Sequence, residues 1–276
     1  MKLSLLTTPM FAAMFCVPVG AEDSVTETFD SVVSASELIN RTVVSNDGVE
    51  IGTVSDIVLD REHGRVAFIA VRSKRSPNVI GNSYFLPPES VSHSTSQRRL
   101  TCTASFKDIE HYGDLTEAGP MTLINAANMS KLYKSYDVKP YWNRNASGKK
   151  QKQLSLITTD ELDGRIVRDT DWQIMARVQE VLVEPKGKWR VAYLSLGELS
   201  GPEGDQRVAV PMAAFAQKSL SPTWLLDIPA SSKLLQQTFK QGEWPTEVDR
   251  GWTEFVHVKY GTAPDGGLQD LRGKSK

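Results

Sequence analysis

The feature that most limits what this 276-residue chain can fold into is that its sequence repeats itself at an offset of 124 residues. Laying Leu38 on Leu162 brings Arg41 onto Arg165, Val43 onto Val167, Asp47 onto Asp171 and Val54 onto Val178. The run Ile57-Val58-Leu59-Asp60 falls on Val181-Leu182-Val183-Glu184. After a one-residue insertion, Val66-Ala67-Phe68-Ile69-Ala70-Val71 meets Val191-Ala192-Tyr193-Leu194-Ser195-Leu196. At the original offset, Tyr84-Phe85-Leu86-Pro87 then meets Val208-Ala209-Val210-Pro211. Matching apolar blocks separated by matching turns read as two copies of one small domain.

Each copy is strand-rich at its front. Ile39 to Val44 is β-branched, and Ser45-Asn46-Asp47-Gly48 is a turn signal. A second strand is expected from about Glu50 to Asp60, a corner at Arg61-Glu62-His63-Gly64, and a return from Arg65 to Arg72. Gly64 can supply the positive φ of a tight hairpin, and the second copy uses Glu184-Pro185-Lys186-Gly187-Lys188 for the same corner. Runs such as Ile57–Leu59 and Val66–Val71 are too apolar for a sheet with one wet face, so a small closed or strongly coiled barrel is expected. Behind each barrel, Met121 to Tyr133 and Ser231 to Phe239 place their apolar residues at helical spacing. The expected fold class is mainly β with short helices: two tandem small β-barrels, each followed by a partly helical tail.

The N-terminus reads as an address. Lys2 is followed by an uncharged run from Leu3 to Val19, then Gly20-Ala21 and the acidic pair Glu22-Asp23, the layout of a secretory signal peptide cut after Ala21. Pro9, Pro18 and Thr7-Thr8 interrupt a run already too short to span a bilayer. Removing residues 1–21 takes away one Lys and no acid, moving the formal net charge from −1 to −2. The expectation is an exported, periplasmic protein whose one remaining thiol, Cys102, is buried on a strand. The domain map is a signal peptide over 1–21, a first barrel with tail over 34–140, a linker over 141–153, a second barrel with tail over 154–262, and a C-terminal stretch over 263–276.

These residues resemble the PRC-barrel family, named after the barrel of the photosynthetic reaction-centre H subunit. In the first copy the family pattern is carried by Leu38-Ile39-Asn40, Asp47-Gly48, Gly52-Thr53-Val54-Ser55-Asp56, Asp60, Gly64-Arg65-Val66-Ala67 and Leu86-Pro87. In the second it is carried by Leu162-Asp163-Gly164, Ala176-Arg177-Val178-Gln179-Glu180, Gly187, Val191-Ala192-Tyr193 and Val208-Ala209-Val210-Pro211. The second copy departs from it with Ala176 where Gly is usual and Trp172 opposite Gly48. The resemblance implies six-stranded PRC-like barrels that act mostly as interaction modules, with no common catalytic motif.

Little in the sequence suggests chemistry. The 32 Lys and Arg balance 33 Asp and Glu, which argues against a broad nucleic-acid surface. The four His are scattered, and His63, on a hairpin corner, is read as solvated rather than as a metal ligand. Asp56, Asp60, Glu180 and Glu184 recur in both copies; a glycosidase-like pair is conceivable, but strand-end carboxylates facing water are the favoured reading. Lys149, Lys150 and Lys152 read as a solvated linker rather than a membrane contact. Five of the six Trp lie in the second half, and Trp172 and Trp189, at turn tips where the first copy has Gly48 and Arg65, are the candidate contacts for a protein partner. No cofactor or metal is expected. The expectation is a non-catalytic interaction or scaffolding protein, with small-ligand or lipid binding in the groove between the barrels as the alternative and a hydrolytic enzyme behind both.

Overall fold

The computed structural model of the chain describes residues 33–61, 63–74, 83–94, 99–113, 126–144, 155–168, 171–183, 192–197, 206–216, 224–226, 239–240, 256–258 and 260. The expected signal peptide, the Lys149–Lys152 linker, Trp189, Glu184 and the 263–276 stretch lie outside these residues.

The first half begins with β1 (Val33–Ser34) and a single helical turn, α1 (Ala35–Leu38). Then come β2 (Thr42–Val44), β3 (Glu50–Asp60), β4 (Arg65–Ser73) and β5 (Ser83–Leu86). A 3-10 turn over Pro88–Ser90 leads into β6 (Val91–Ser94) and β7 (Arg99–Cys102). Helices α2 (Phe106–Gly113) and α3 (Ala126–Ser135) and a 3-10 turn over Tyr141–Arg144 follow. The second half runs β8 (Leu156–Thr158), α4 (Thr159–Leu162), β9 (Ile166–Arg168), β10 (Ile174–Val183), β11 (Ala192–Gly197) and β12 (Gln206–Pro211). It ends with a 3-10 turn over Met212–Ala214, then β13 (Phe215–Ala216), β14 (Trp224–Leu226) and β15 (Phe239–Lys240).

The elements recur at the spacing of the sequence repeat: α1 and α4, β2 and β9, and the two proline-led 3-10 turns are each separated by 124 residues at both ends. Strand order recurs too. One sheet runs β5-β4-β3-β2-β7-β6 and the other β12-β11-β10-β9-β14-β13, with β15 added beyond β12. Each contains one parallel pair, β2 with β7 and β9 with β14. The hydrogen-bonded path is open, with β5 and β6 at opposite ends of the first sheet, so the closed barrels expected from the sequence are not drawn by the ladders of the described residues. Pro87 and Pro88, which lack an N–H, stand between those two strands, and the chain passes through the 3-10 turn there instead of continuing a ladder.

Each half lends a strand to the other. β1 pairs with β10 through Val33↔Val183 and Ser34↔Leu182, and β8 pairs with β3 through Ile157↔Leu59 and Thr158↔Val58. The second pairing repeats the first with the halves interchanged, the self-complementary pattern of a two-fold interface inside one chain. The hairpin between β3 and β4 also reaches across: Gly64, at φ +61°, lies so close to the second half that a Cβ there would sit 2.9 Å from that of Ala213.

In the first half β4 is buried along almost its whole length and β3 along its second half, with Val54, Ile57, Leu59, Phe68, Ile69 and Val71 fully enclosed. The helical tail covers them. Met129, Leu132 and Tyr133 form the buried stripe of α3, and Tyr136, just past its end, continues it at i+7. The Tyr133 ring meets Phe68 edge-on at 5.6 Å and its hydroxyl donates to the Ala67 carbonyl at 2.8 Å. The helix runs to Ser135, two residues beyond the expected end at Tyr133, and the expected start at Met121 lies outside the described residues. Tyr141 and Trp142, expected at the head of the linker, are buried against the first half. Phe239, expected at the end of a helix, is in a strand, because β12 presents an edge that Phe239 and Lys240 complete. Near the C-terminus a helical turn buries Val256, His257 and Tyr260, which correspond at the repeat spacing to Leu132, Tyr133 and Tyr136.

Candidate functional site

Beside the exchanged strands, an open cavity of about 460 Å³ lies on the seam between the halves. Its walls are contributed in pairs related by the repeat: Ala35 and Thr159, Ser36 and Asp160, Ile39 and Asp163, Ser55 and Gln179, Asp56 and Glu180, with Val178 and Val181 completing them. The short helices that frame it start on side-chain caps. Ser34 Oγ accepts from Ser36 N at 3.1 Å, and Thr158 Oγ1 accepts from Glu161 N at 3.2 Å while Glu161 accepts from Thr158 N at 3.0 Å, a capping box.

Asp56 and Glu180 are aimed into this seam by matching register breaks, between Val54 and Asp56 in the β3–β4 ladder and between Val178 and Glu180 in β10–β11. Each carboxylate then reaches the opposite half. Asp56 Oδ1 accepts from Thr159 N at 3.1 Å and from Thr159 Oγ1 at 2.5 Å. Glu180 Oε1 accepts from Ser36 Oγ at 3.1 Å and from Ser34 Oγ. The two acids are therefore cross-ties holding the starts of α4 and α1, where the sequence suggested water-facing strand ends. The carboxylates Asp160 and Asp163 add to the same cavity from exposed positions on and just beyond α4.

Asp60 corrects the sequence reading most strongly. It is fully buried, and its Oδ2 accepts from the Tyr141 hydroxyl at 2.8 Å and bonds His63 Nδ1 at 2.7 Å. His63 is accordingly packed rather than solvated, with its ring edge-on to Tyr141 at 5.4 Å. The Arg65 guanidinium lies 4.3 Å over the Tyr141 ring and pairs with Glu89 at 3.2 Å. Burial, with the nearby Asp60 charge second, pushes the Tyr141 phenol well above its usual range; burial, then Glu89, does the same to Tyr133. What this arrangement does chemically is bind the tail: a buried carboxylate satisfied by a phenol and an imidazole holds Tyr141 and Trp142 onto the hairpin. Burial also raises the Cys102 thiol.

Trp172 stands at the tip between β9 and β10, half-exposed at 47%, with Ile174 equally exposed beside it. Its backbone is left-handed, at φ +65°, where Gly48 in the first half has φ +80°. Arg168 Nη1 donates to the Trp172 carbonyl at 2.8 Å and steadies the turn. The four His are not brought together, and among the described residues no group of three or more His, Cys, Asp or Glu is placed to hold one metal ion.

The seam was not legible from the motif positions alone. One signal could have found it: continued five residues upstream of Leu38 and Leu162, the repeat lays Val33-Ser34 on Ile157-Thr158, the strands that are exchanged. The PRC-barrel domain model matches residues 30–102, a span that runs from just before β1 to the end of β7. No curated protein matches the chain.

Proposed function

We propose that the chain is an exported interaction module without turnover, built from two PRC-barrel-type units of which the second carries the contact surface. The observation that carries this reading is Trp172. A bulky ring is kept half-exposed on a left-handed backbone, where the first half uses glycine. An L-residue in that conformation costs stability, and Trp is the residue most enriched where proteins meet. Polar groups that a hydrolase would need are otherwise occupied: Asp56 and Glu180 tie the halves together, and Asp60 holds Tyr141 and His63. Trp189, outside the described residues, is the second expected contact. The reading is tested by capturing partners from a periplasmic fraction with the wild-type protein and with Trp172→Ala. Loss of specific partners from the variant supports it, and identical captured sets overturn it.

A second reading is favoured by a separate observation, the paired-wall cavity of about 460 Å³, which lies within the roughly 300–1,000 Å³ of small-ligand sites. On this reading the two units clasp a small molecule at their seam. Native mass spectrometry of the protein purified from its own host tests it: a bound mass released on unfolding is expected, and a bare polypeptide counts against it.

A further inference from the structure

Building on the contact-surface reading, we propose that the outer face of the β9–β10 hairpin docks a segment of an acidic protein. Two carboxylates of that segment meet Arg168 and Arg177, and an apolar side chain beside them covers Trp172 and Ile174. The ladder places these residues together. Arg168 pairs with Ile174 and Ile166 with Arg177, while Val167 and Ala176 between them turn inward and are buried. A register break after Ile174 keeps that residue on the outer face with Arg168. Cations and apolar residues therefore alternate diagonally, with Trp172 beyond Ile174 at the tip. The first half makes the same pairings, Val44 with Glu50 and Thr42 with Thr53. At the repeat spacing Gly48, Glu50 and Thr53 give way to Trp172, Ile174 and Arg177, and Val44 to Arg168. The formal charge goes from −1 over residues 41–55 to +1 over residues 165–179. The fold needs none of these replacements, since the first half builds the same ladder without them.

The two cations decide the chemistry of the partner. Among the described residues neither Arg168 nor Arg177 enters an ion pair. Each instead donates through Nη1 to one backbone carbonyl, that of Trp172 at 2.8 Å and that of Gly164 at 2.6 Å. This leaves the other guanidinium N–H groups for a second acceptor, and it orders each side chain beforehand, which lowers the cost of binding. In the first half the charged residue of this face, Glu50, is paired with Lys74 at 2.8 Å. A guanidinium beside an exposed aromatic ring matches a carboxylate next to an apolar side chain. Diagonal positions on a sheet face lie about 7–8 Å apart, close to the roughly 6.6–6.8 Å between alternate residues of an extended segment. Acids at i and i+2 and an apolar residue at i+4 accordingly run along the hairpin toward its tip. The apolar end belongs at the tip because Asp169 and Asp171 lie in the turn there and repel a carboxylate. An anionic bilayer is held by clusters of about four to eight Lys and Arg, whereas residues 165–179 carry three Arg beside two Asp.

The test is titration of the protein at low ionic strength with a labelled, end-blocked Glu-Ser-Glu-Ser-Leu peptide, read by fluorescence anisotropy. This peptide is expected to bind about tenfold more tightly than Gln-Ser-Gln-Ser-Leu or Glu-Ser-Glu-Ser-Ser, and to lose that advantage in about 0.5 M sodium chloride. Arg168→Val combined with Arg177→Thr installs the residues of the first half. It should weaken binding of the Glu peptide about tenfold, leave the Gln peptide as before and preserve the circular dichroism spectrum. The comparison between peptides uses the unaltered protein, so it decides the matter even where the double variant folds poorly. Equal binding of the Glu and Gln peptides, tighter binding of Lys-Ser-Lys-Ser-Leu, or indifference of a folded double variant would each overturn the proposal. So would Trp172-dependent binding to phosphatidylglycerol vesicles without binding to the peptide. If Trp172→Ala loses partners from the periplasmic capture while the double variant keeps them, the acidic assignment fails and the contact-surface reading stands. If neither variant changes the captured set, both fail.

Discussion

Trp172 and Gly48 occupy equivalent left-handed positions, and so do Asn40, at φ +65°, and Gly164, at φ +68°. The backbone thus repeats where the residues do not. Because glycine relieves the steric cost of that conformation, Trp172→Gly should raise stability by about 1 kcal/mol, read as a higher urea midpoint at unchanged m-value, while weakening partner capture. A variant that lost both stability and binding would show that the ring packs structurally. Gly52 presents the opposite case. A Cβ there would lie 1.9 Å from the Arg72 carbonyl oxygen, so Gly52→Ala should destabilise by about 1–3 kcal/mol. The second half tolerates Ala176 at the equivalent position, and its described β10–β11 ladder starts one residue later, at Arg177. Three phenols fix the alkaline limit. Burial pushes Tyr260 up to about 12 and Tyr133 and Tyr141 well above 10. The unfolded chain loses these protons first, so the stability they contribute is intact below pH 10 and lost as pH climbs through 12 and beyond. Phenolate absorbance from these residues should rise together with loss of circular dichroism. A smooth titration complete before unfolding would contradict their burial.

The long strands of the first half were readable because their apolar runs and Gly64 corner encode them locally: β3 spans the expected Glu50–Asp60 and β4 starts at the expected Arg65. The contacts that decide the fate of polar groups were not readable, because they are remote. Tyr141 reaches Asp60 across 81 residues of sequence, and Tyr133 reaches Ala67 across 66. Without those partners a strand-end Asp and a corner His read as wet, and Tyr141-Trp142 reads as the start of a linker. Strands of two or three residues such as β1 and β8 carry no period at all, and Leu234, Leu235 and Phe239 fall at helical spacing although Phe239 is drawn into a strand by the remote edge of β12. The tail clamp gives an element-level prediction. Tyr141→Phe removes one donor from a fully buried carboxylate and should cost about 1–3 kcal/mol, with a changed near-ultraviolet dichroism from the Tyr133–Tyr141–Trp142 ring cluster. An unchanged urea midpoint would mean that the Tyr141 hydroxyl is not needed to satisfy Asp60.

At the scale of the whole molecule the two halves are completed by each other. β1 belongs by sequence to the first half and by hydrogen bonding to the second, and β8 the reverse. The chain should therefore unfold in one cooperative step, with coincident urea transitions by dichroism and by tryptophan fluorescence; two separated transitions would show that the seam is weak. A protease cut introduced within residues 145–150 should leave the fragments associated in size-exclusion chromatography, and their separation without denaturant would refute the mutual completion.

That mutual completion also sets a timetable for biogenesis. The β3 edge stays without its last neighbour until residues 156–158 have been synthesised, nearly a hundred positions later, and β1 waits longer still for β10. During that interval an apolar hairpin with an open backbone edge is at hand for any passing strand, the situation in which nascent β-rich chains aggregate. A cell that makes this polypeptide gains by shielding its front until its back arrives, and slow synthesis or a missing holdase should show first as insoluble product rather than as a folded half.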